Sequence, residues 1–92
     1  MGKVGSKIKI NLINEHGIHE ALSNEFKNEI EFKVAIYNCT NNTENTDEIL
    51  EIVNKFSKFR YKWTVYYQDE CLLIFKNVDG WGNKNYLHVE FN

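Results

Sequence analysis

Few residues of this chain have the types and spacing that metal binding or catalysis requires. His16, His19 and Glu20 lie close together in sequence, and on a helix they would approach one face, where imidazole and carboxylate groups can converge on zinc. Their spacing is not that of HExxH, and no fourth ligand is indicated. Exposed polar residues at the start of a helix are the commoner interpretation, so we predict no metal and no cofactor.

The cysteines offer no better case for catalysis. A nucleophilic thiolate needs a base or a positive field nearby, and the Asn and Thr residues around Cys39 supply neither. Cys71 lies in an apolar run and is interpreted as part of the core. The two cysteines lack CxxC spacing, and a reduced intracellular setting is the default for such a chain. We therefore expect a protein without catalytic residues that is not an enzyme.

Charge is distributed unevenly, although the net charge is only −2. Residues 15–51 contain nine acidic residues against Lys27 and Lys33. Such a stretch can present a negative face to a basic groove of another protein and block its nucleic-acid site. The simpler interpretation is that these acidic residues lie on the solvated faces of two helices. The protein-binding residues that we predict are Glu44, Asp47, Glu48, Glu51 and Trp81.

These features predict a small protein-binding module that acts as an inhibitor or adaptor against a basic, nucleic-acid-binding partner. In type, though in no motif, such a protein resembles phage-encoded inhibitors of host nucleases. Trp81 stands between Gly80 and Gly82. Its side chain is expected either to fold back over the edge of the core or to anchor an interface.

The alternative function is binding of single-stranded nucleic acid, because basic and aromatic residues are interleaved in the segment from Lys55 to Trp63. Its predicted site residues are Lys58, Arg60, Tyr61, Lys62 and Trp63. If the helices cover only one face of the sheet, the other face is expected to expose Tyr61, Trp63 and Tyr67. Since the chain as a whole is acidic, we rank this function second.

The expected location of the protein in the cell depends on whether its sequence contains a membrane helix or a secretory signal. No window approaches the roughly 20 apolar residues of a membrane helix, and no secretory signal is visible. We expect a cytoplasmic protein, located in the host cytoplasm if it is viral. Residues 1–6 fit the short pattern for N-myristoylation of Gly2. Without that lipid, no membrane contact is predicted.

Hydrophobic periodicity predicts the elements that carry these residues. Alternating apolar residues predict strands over 7–13, 30–37 and 86–91. Two amphipathic helices are predicted, one over residues 15–28 on Ile18, Leu22 and Phe26 and one from Asn45 to Phe59. Residues 61–76 form a predicted hairpin with its turn at 68–70. The run from Cys71 to Phe75 is apolar throughout and is expected to lie in mid-sheet, covered on both faces.

The sequence therefore predicts a single α+β domain over residues 1–92, with residues 1–6 as a flexible tail. The predicted order is β-α-β-α-β-β-β, with two helices packed on a mixed five-stranded sheet. The chain has no proline, so no edge strand is protected by one. An unguarded edge would allow a second copy to pair and form a homodimer.

Overall fold

The computed structural model describes residues 8–39 and 46–91. The predictions for residues 1–6, Gly2 and Glu44 lie outside these ranges. The elements are β1 (Ile8–Asn14), β2 (His19–Glu20), a 3-10 turn (Leu22–Asn24), α1 (Glu29–Cys39), α2 (Thr46–Phe56), β3 (Thr64–Gln68), β4 (Leu72–Val78) and β5 (Lys84–Phe91).

The five strands form one sheet in the order β2-β1-β5-β4-β3, and every neighbouring pair is antiparallel. The predicted fold class is confirmed as a small α+β domain with two helices and a five-stranded sheet. The predicted mixed sheet is wrong, because the segment expected to supply a parallel strand is a helix.

That segment is α1, which replaces the strand predicted over residues 30–37. Apolar residues at every second position satisfy the period of a strand, but they also place apolar side chains on two opposite faces of a helix. Phe32 and Ile36 are buried, while Ile30 and Val34 are exposed on the outer face. An ion pair between Glu29 and Lys33, one turn apart at 3.3 Å, supports the helix at its start.

The helix predicted over residues 15–28 is also wrong, because local turn chemistry reverses the chain there. The Asn14 side-chain oxygen accepts hydrogen bonds from the N–H groups of His16 and Ile18. Gly17 adopts a φ of +79°, which favours glycine. The chain therefore turns back to pair β2 with β1. Phe26 remains buried at the end of this segment.

One face of the sheet packs against both helices and forms the core. Buried residues alternate along β4 and β5, as a half-covered antiparallel sheet requires, and β1 contributes Ile8 and Leu12. The helices contribute Phe32 and Ile36 from α1 and Ile49 and Val53 from α2. Helix α2 and its apolar stripe follow the prediction, except that Phe59 lies beyond the helix and is exposed.

A stack of aromatic rings fills the end of this core. The Phe26 ring stacks on Phe32 with centroids 4.4 Å apart and on Trp63 at 5.3 Å. The ring of Phe56 in α2 lies against Phe32, with the two ring centroids 5.6 Å apart. Two hydrogen bonds hold Trp63 against α2. The backbone N–H of Trp63 donates to the Asn54 side-chain oxygen at 2.8 Å, and the Asn54 side-chain amide donates to the backbone carbonyl of Trp63 at 3.2 Å.

The opposite face of the sheet has no helix over it in the described ranges. Leu73 and Phe75 of β4 are buried, but Leu72 and Ile74, which point the other way, are only partly buried. The expectation that β4 is covered on both faces is therefore wrong. Cys71 is exposed rather than buried, because it belongs to the β3–β4 turn and precedes the strand.

The two isoleucines of α1 provide a matched test of the helix. We expect Ile36→Ala to lower the free energy of unfolding by roughly 2–5 kcal/mol, because it opens a cavity at a fully buried position. Ile30→Ala removes a side chain that is 79% exposed and should change stability by no more than about 0.5 kcal/mol. Urea unfolding measures both values. Equal losses would indicate that both side chains face the core, as in a strand.

Candidate protein-binding surface

The turn between β4 and β5 holds Trp81 away from the rest of the protein, with 89% of the residue exposed. The Asp79 carboxylate accepts hydrogen bonds from the N–H groups of Trp81 and Asn83, both at 2.9 Å. The Asp79 carbonyl accepts a third from Gly82, which has a φ of +85°. The turn is thus internally bonded while its largest side chain faces solvent. Two arrangements were expected for the Trp81 side chain, and the structure excludes the one in which it folds back over the edge of the core.

The hydrogen bonds of this turn also shift the pKa of the Asp79 carboxyl group. Burial raises the pKa of its carboxyl group, but the hydrogen bonds from Asn83, Trp81 and Gly82 outweigh that effect and lower the pKa below its ordinary value. Asp79 therefore remains a carboxylate acceptor under mildly acidic conditions, so protonation does not release the Trp81 turn at those pH values.

Two further exposed aromatic residues lie at the same end of the protein. The rings of Phe59 and Tyr61 have centroids 6.1 Å apart. The Tyr61 hydroxyl lies over Gly80, where an added Cβ atom would be only 2.7 Å from it. Tyr61 therefore packs directly on the turn that carries Trp81. We call Phe59, Tyr61 and Trp81 the aromatic end.

The residues predicted for nucleic-acid binding divide between surface and core. Tyr61 is exposed as part of the aromatic end, and Lys58, Arg60 and Lys62 are exposed beside Phe59 and Tyr61 in the chain. Trp63 is only 1% exposed and stacks inside the core on Phe26. The alternation that placed Tyr61 and Trp63 on one strand face does not apply, because β3 begins at Thr64.

Three of the four predicted acidic residues lie in the described range, on α2. Asp47 and Glu48 occupy the first turn of α2 and are exposed, as is Glu51. The eleven residues of α2 span about 16 Å, and Phe59 follows the opposite terminus. Asp47 and Glu48 therefore lie at the opposite terminus of α2 from the residues that lead into the aromatic end.

The thiol of Cys39 is partnered at the acidic end of α2. Its Sγ atom lies 3.4 Å from the Glu48 carboxylate, to which it donates. Burial raises the pKa of this thiol, and the hydrogen bond and negative charge of Glu48 raise it further. A raised pKa keeps the thiol protonated at neutral pH, which is the opposite of what a cysteine nucleophile requires.

An acidic cleft of about 330 Å³ lies beside the Trp81 turn. Three of its four acidic residues lie within residues 15–25, and the fold adds Asp79 from the β4–β5 turn. Four carboxyl groups line the cleft, those of Glu15, Glu20, Glu25 and Asp79. Lys84 and His16 are the basic residues that line the cleft. The carboxylate of Glu15 accepts a hydrogen bond from the backbone N–H of Lys84.

The histidines considered for zinc binding do not converge. His16 lies in the β1–β2 turn, whereas His19 and Glu20 are successive residues of β2, where adjacent side chains point to opposite faces. Within residues 8–39 and 46–91, no group of three or more His, Cys, Asp or Glu side chains is placed to hold a metal ion.

The open sheet face, which carries the half-buried side chains of β4 and β5, is aromatic toward its β3 edge. Tyr66 of β3 meets Tyr86 of β5 edge-on, with centroids 5.2 Å apart. The Lys76 ammonium group lies 5.4 Å from the Tyr66 ring centroid, within the range of a cation–π contact. Tyr67 is exposed and pairs across the strands with Ile74. Of the strip predicted at Tyr61, Trp63 and Tyr67, only Tyr67 lies on this face, because Tyr61 packs on the Trp81 turn and Trp63 is buried in the core.

Comparison with known proteins adds no relative. No protein-family model matches the chain, and neither a curated protein nor a solved structure is significantly similar to it. Among the helices described, none is long and apolar enough to cross a membrane.

Glu25 makes stability depend on pH. Burial, together with the charges of Glu20 and Asp79, raises its pKa above the ordinary value of 4.5, while Lys58 acts in the opposite direction. The unfolded chain releases this proton first, so stability falls as the pH rises from 4.5 through the folded-state pKa. We expect Glu25→Gln to be more stable than the native protein at pH ~7, with the difference disappearing well below the ordinary pKa.

Urea unfolding at both pH values measures this difference. Glu51→Gln, at an exposed position on α2, is the matched control and should show little change at either pH. A Glu25→Gln variant that is no more stable than the native protein at neutral pH would contradict the destabilising role of this carboxylate.

Proposed function

We propose that this protein is a non-enzymatic protein-binding module that uses Trp81 as its anchor. The observation that supports this function best is a tryptophan that is 89% exposed on an internally hydrogen-bonded turn. Leaving so large an apolar side chain in water gives up the free energy that its burial would release. A partner with a matching pocket would recover that free energy.

The structure of the turn favours binding because it limits the entropy lost on association. Asp79 already holds the backbone of Trp81 and Asn83, so a partner would have to order little more than the indole ring. Tryptophan is also among the residues most enriched at interface hot spots. Phe59 and Tyr61 supply neighbouring apolar surface around the anchor.

We further propose a partner with a basic surface, against which the protein acts as an inhibitor or adaptor in the cytoplasm. Support comes from two acidic regions, one beside the Trp81 turn and one at the far terminus of α2. One is the cleft lined by Glu20 and Glu25, and the other is the exposed start of α2 with Asp47 and Glu48. Negative charge at these positions would steer a basic protein, such as one that binds nucleic acid, toward the anchor.

The proposal is tested by capturing partners from an extract of the cell in which the protein acts. The native protein and the Ile30→Ala variant should retain the same partner, whereas Trp81→Ala should lose it. Ile30 is the matched control because it is also a large, exposed apolar residue, but on α1. With the purified partner, Trp81→Ala should raise the Kd roughly 30-fold, equivalent to about 2 kcal/mol.

A partner that Trp81→Ala binds as tightly as the native protein does would contradict the proposal. Binding that is unaffected by salt would remove its electrostatic part, since attraction between exposed charges is screened at high ionic strength.

Binding of single-stranded nucleic acid is the second candidate. It is favoured by the exposed rings of Phe59 and Tyr61, which lie between Lys58, Arg60 and Lys62 and combine stacking with positive charge. Titration with a labelled single-stranded oligonucleotide at low salt separates the two functions. Tight, salt-sensitive binding that Arg60→Glu abolishes would support this candidate over the first.

A further inference from the structure

The irregular pairing of β3 with β4 puts two consecutive tyrosines on one face of the sheet. Val65 pairs with Phe75, but the next pair joins Tyr67 to Ile74, so Tyr66 is the extra residue of a β-bulge. Phe75 is buried on the core face, and Ile74 beside it points to the opposite face. Because paired residues share a face of an antiparallel sheet, Tyr67 lies with Ile74 on the open sheet face.

The bulged residue Tyr66 lies on the same open sheet face. Its ring contacts Tyr86 of β5 and the ammonium group of Lys76, and Tyr86 alternates with the buried residues of β5, such as Leu87. Tyr66 and Tyr67 are exposed, and Tyr86 is half-buried. Without the bulge, one of the two consecutive tyrosines would face the helices. We call Tyr66, Tyr67 and Tyr86 the tyrosine platform.

Positive charge accompanies the tyrosine platform. Among the described strand residues of the open sheet face, Glu90 is the acidic one, and it pairs in register with Lys9. Lys76 lies between Thr64 on one side and Tyr86 on the other, so no acidic strand residue is opposite it. A basic protein would be attracted to the acidic cleft or to the start of α2. The open sheet face is instead complementary to an anion that carries flat apolar groups.

We propose that the open sheet face binds single-stranded nucleic acid, with bases stacked on the tyrosine platform and a backbone phosphate beside Lys76. Stacking on aromatic rings tolerates any base sequence, because every base has a π-face. The exposed basic residues Lys58, Arg60 and Lys62 precede β3. They lead directly to Lys76, because the hydroxyl group of Thr64 at the start of β3 donates to the Lys76 carbonyl at 3.4 Å.

A hydrogen bond orders part of the platform in advance. The Tyr67 hydroxyl donates to the Asp69 carboxylate in the β3–β4 turn at 2.8 Å. The ring is therefore held in place before a base arrives, which reduces the entropy lost on binding. The charge of Asp69 repels phosphate, so the nucleic-acid backbone is expected on the Lys76 side of the platform.

This inference is independent of the proposed protein-binding function, because the Trp81 turn joins β4 to β5 and contributes no residue to the tyrosine platform. It also differs from the second candidate function, in which bases stack on Phe59 and Tyr61. The two nucleic-acid surfaces can be separated, because their stacking residues are different.

The first test is a fluorescence anisotropy titration with a labelled oligothymidylate of about 12 nucleotides, a length within the usual site size. The native protein should bind at low salt and lose affinity as the salt concentration rises. Tyr66→Ala and Tyr67→Ala should each raise the Kd roughly tenfold, because each removes a ring on which a base stacks. Tyr66→Phe keeps the ring and should stay within about threefold of the native Kd.

The second test measures the phosphate contact of Lys76. Lys76→Ala should reduce the slope of log Kd against log salt concentration by about 0.7, the change expected for one phosphate of a single strand. Lys27→Ala is the matched control and should leave the slope unchanged. It removes the same charge from the helix side of the protein, where the Lys27 N–H donates to the Phe56 carbonyl. Circular dichroism verifies that each variant remains folded.

Trp81→Ala should bind the oligonucleotide like the native protein, which separates this test from that of the protein-binding function. A native protein that does not bind the oligonucleotide at low salt would overturn the inference and leave that function untouched. Binding that Arg60→Glu abolishes, but that Tyr66→Ala and Tyr67→Ala leave unchanged, would also overturn it. That result would place the bases on Phe59 and Tyr61 and support the second candidate function.

Discussion

The stacked rings of Phe26, Phe32 and Trp63 close one end of the core that lies between the helices and one face of the sheet. Both helices are engaged in covering that face, so in the described ranges none remains to cover the other. The apolar residues of β4 that are shielded from water are Leu73 and Phe75, while Leu72 and Ile74 on the reverse side stay partly open. The exposed surfaces of the protein are therefore a consequence of where its single core lies.

Sequence analysis located the elements whose apolar residues fit the spacing of a strand or the spacing of a helix, but not both. Strand β1, the β3–β4 hairpin, β5 and α2 follow their patterns, and the last three strands form the expected antiparallel meander. Helix α1 could not be recognised, because its apolar residues at every second position fit a strand and also fit a helix with apolar side chains on two faces. The turn at Asn14 depends on side-chain hydrogen bonds to His16 and Ile18, which compete with the helix that the apolar spacing suggests.

The candidate surface was only partly accessible to sequence analysis. Trp81 could be proposed as an anchor because glycines flank it, but its exposure depends on hydrogen bonds to Asp79 within the folded turn. Trp63 could not be excluded from the surface without knowing that Asn54 holds it against α2. The acidic cleft joins residues far apart in the chain, and only the fold brings them together. The two tryptophans thus have opposite roles, one closing the core and the other available to a partner.

This division of roles can be measured by the fluorescence of single-tryptophan variants. In Trp81→Phe the remaining Trp63 should emit at short wavelength and resist quenching by acrylamide, because only 1% of it is exposed. In Trp63→Phe the remaining Trp81 should emit at the long wavelength of a hydrated indole and be quenched efficiently, as a residue with 89% exposure requires. Circular dichroism verifies that both variants are folded. Equal quenching of the two residues, or a shielded Trp81, would contradict the account.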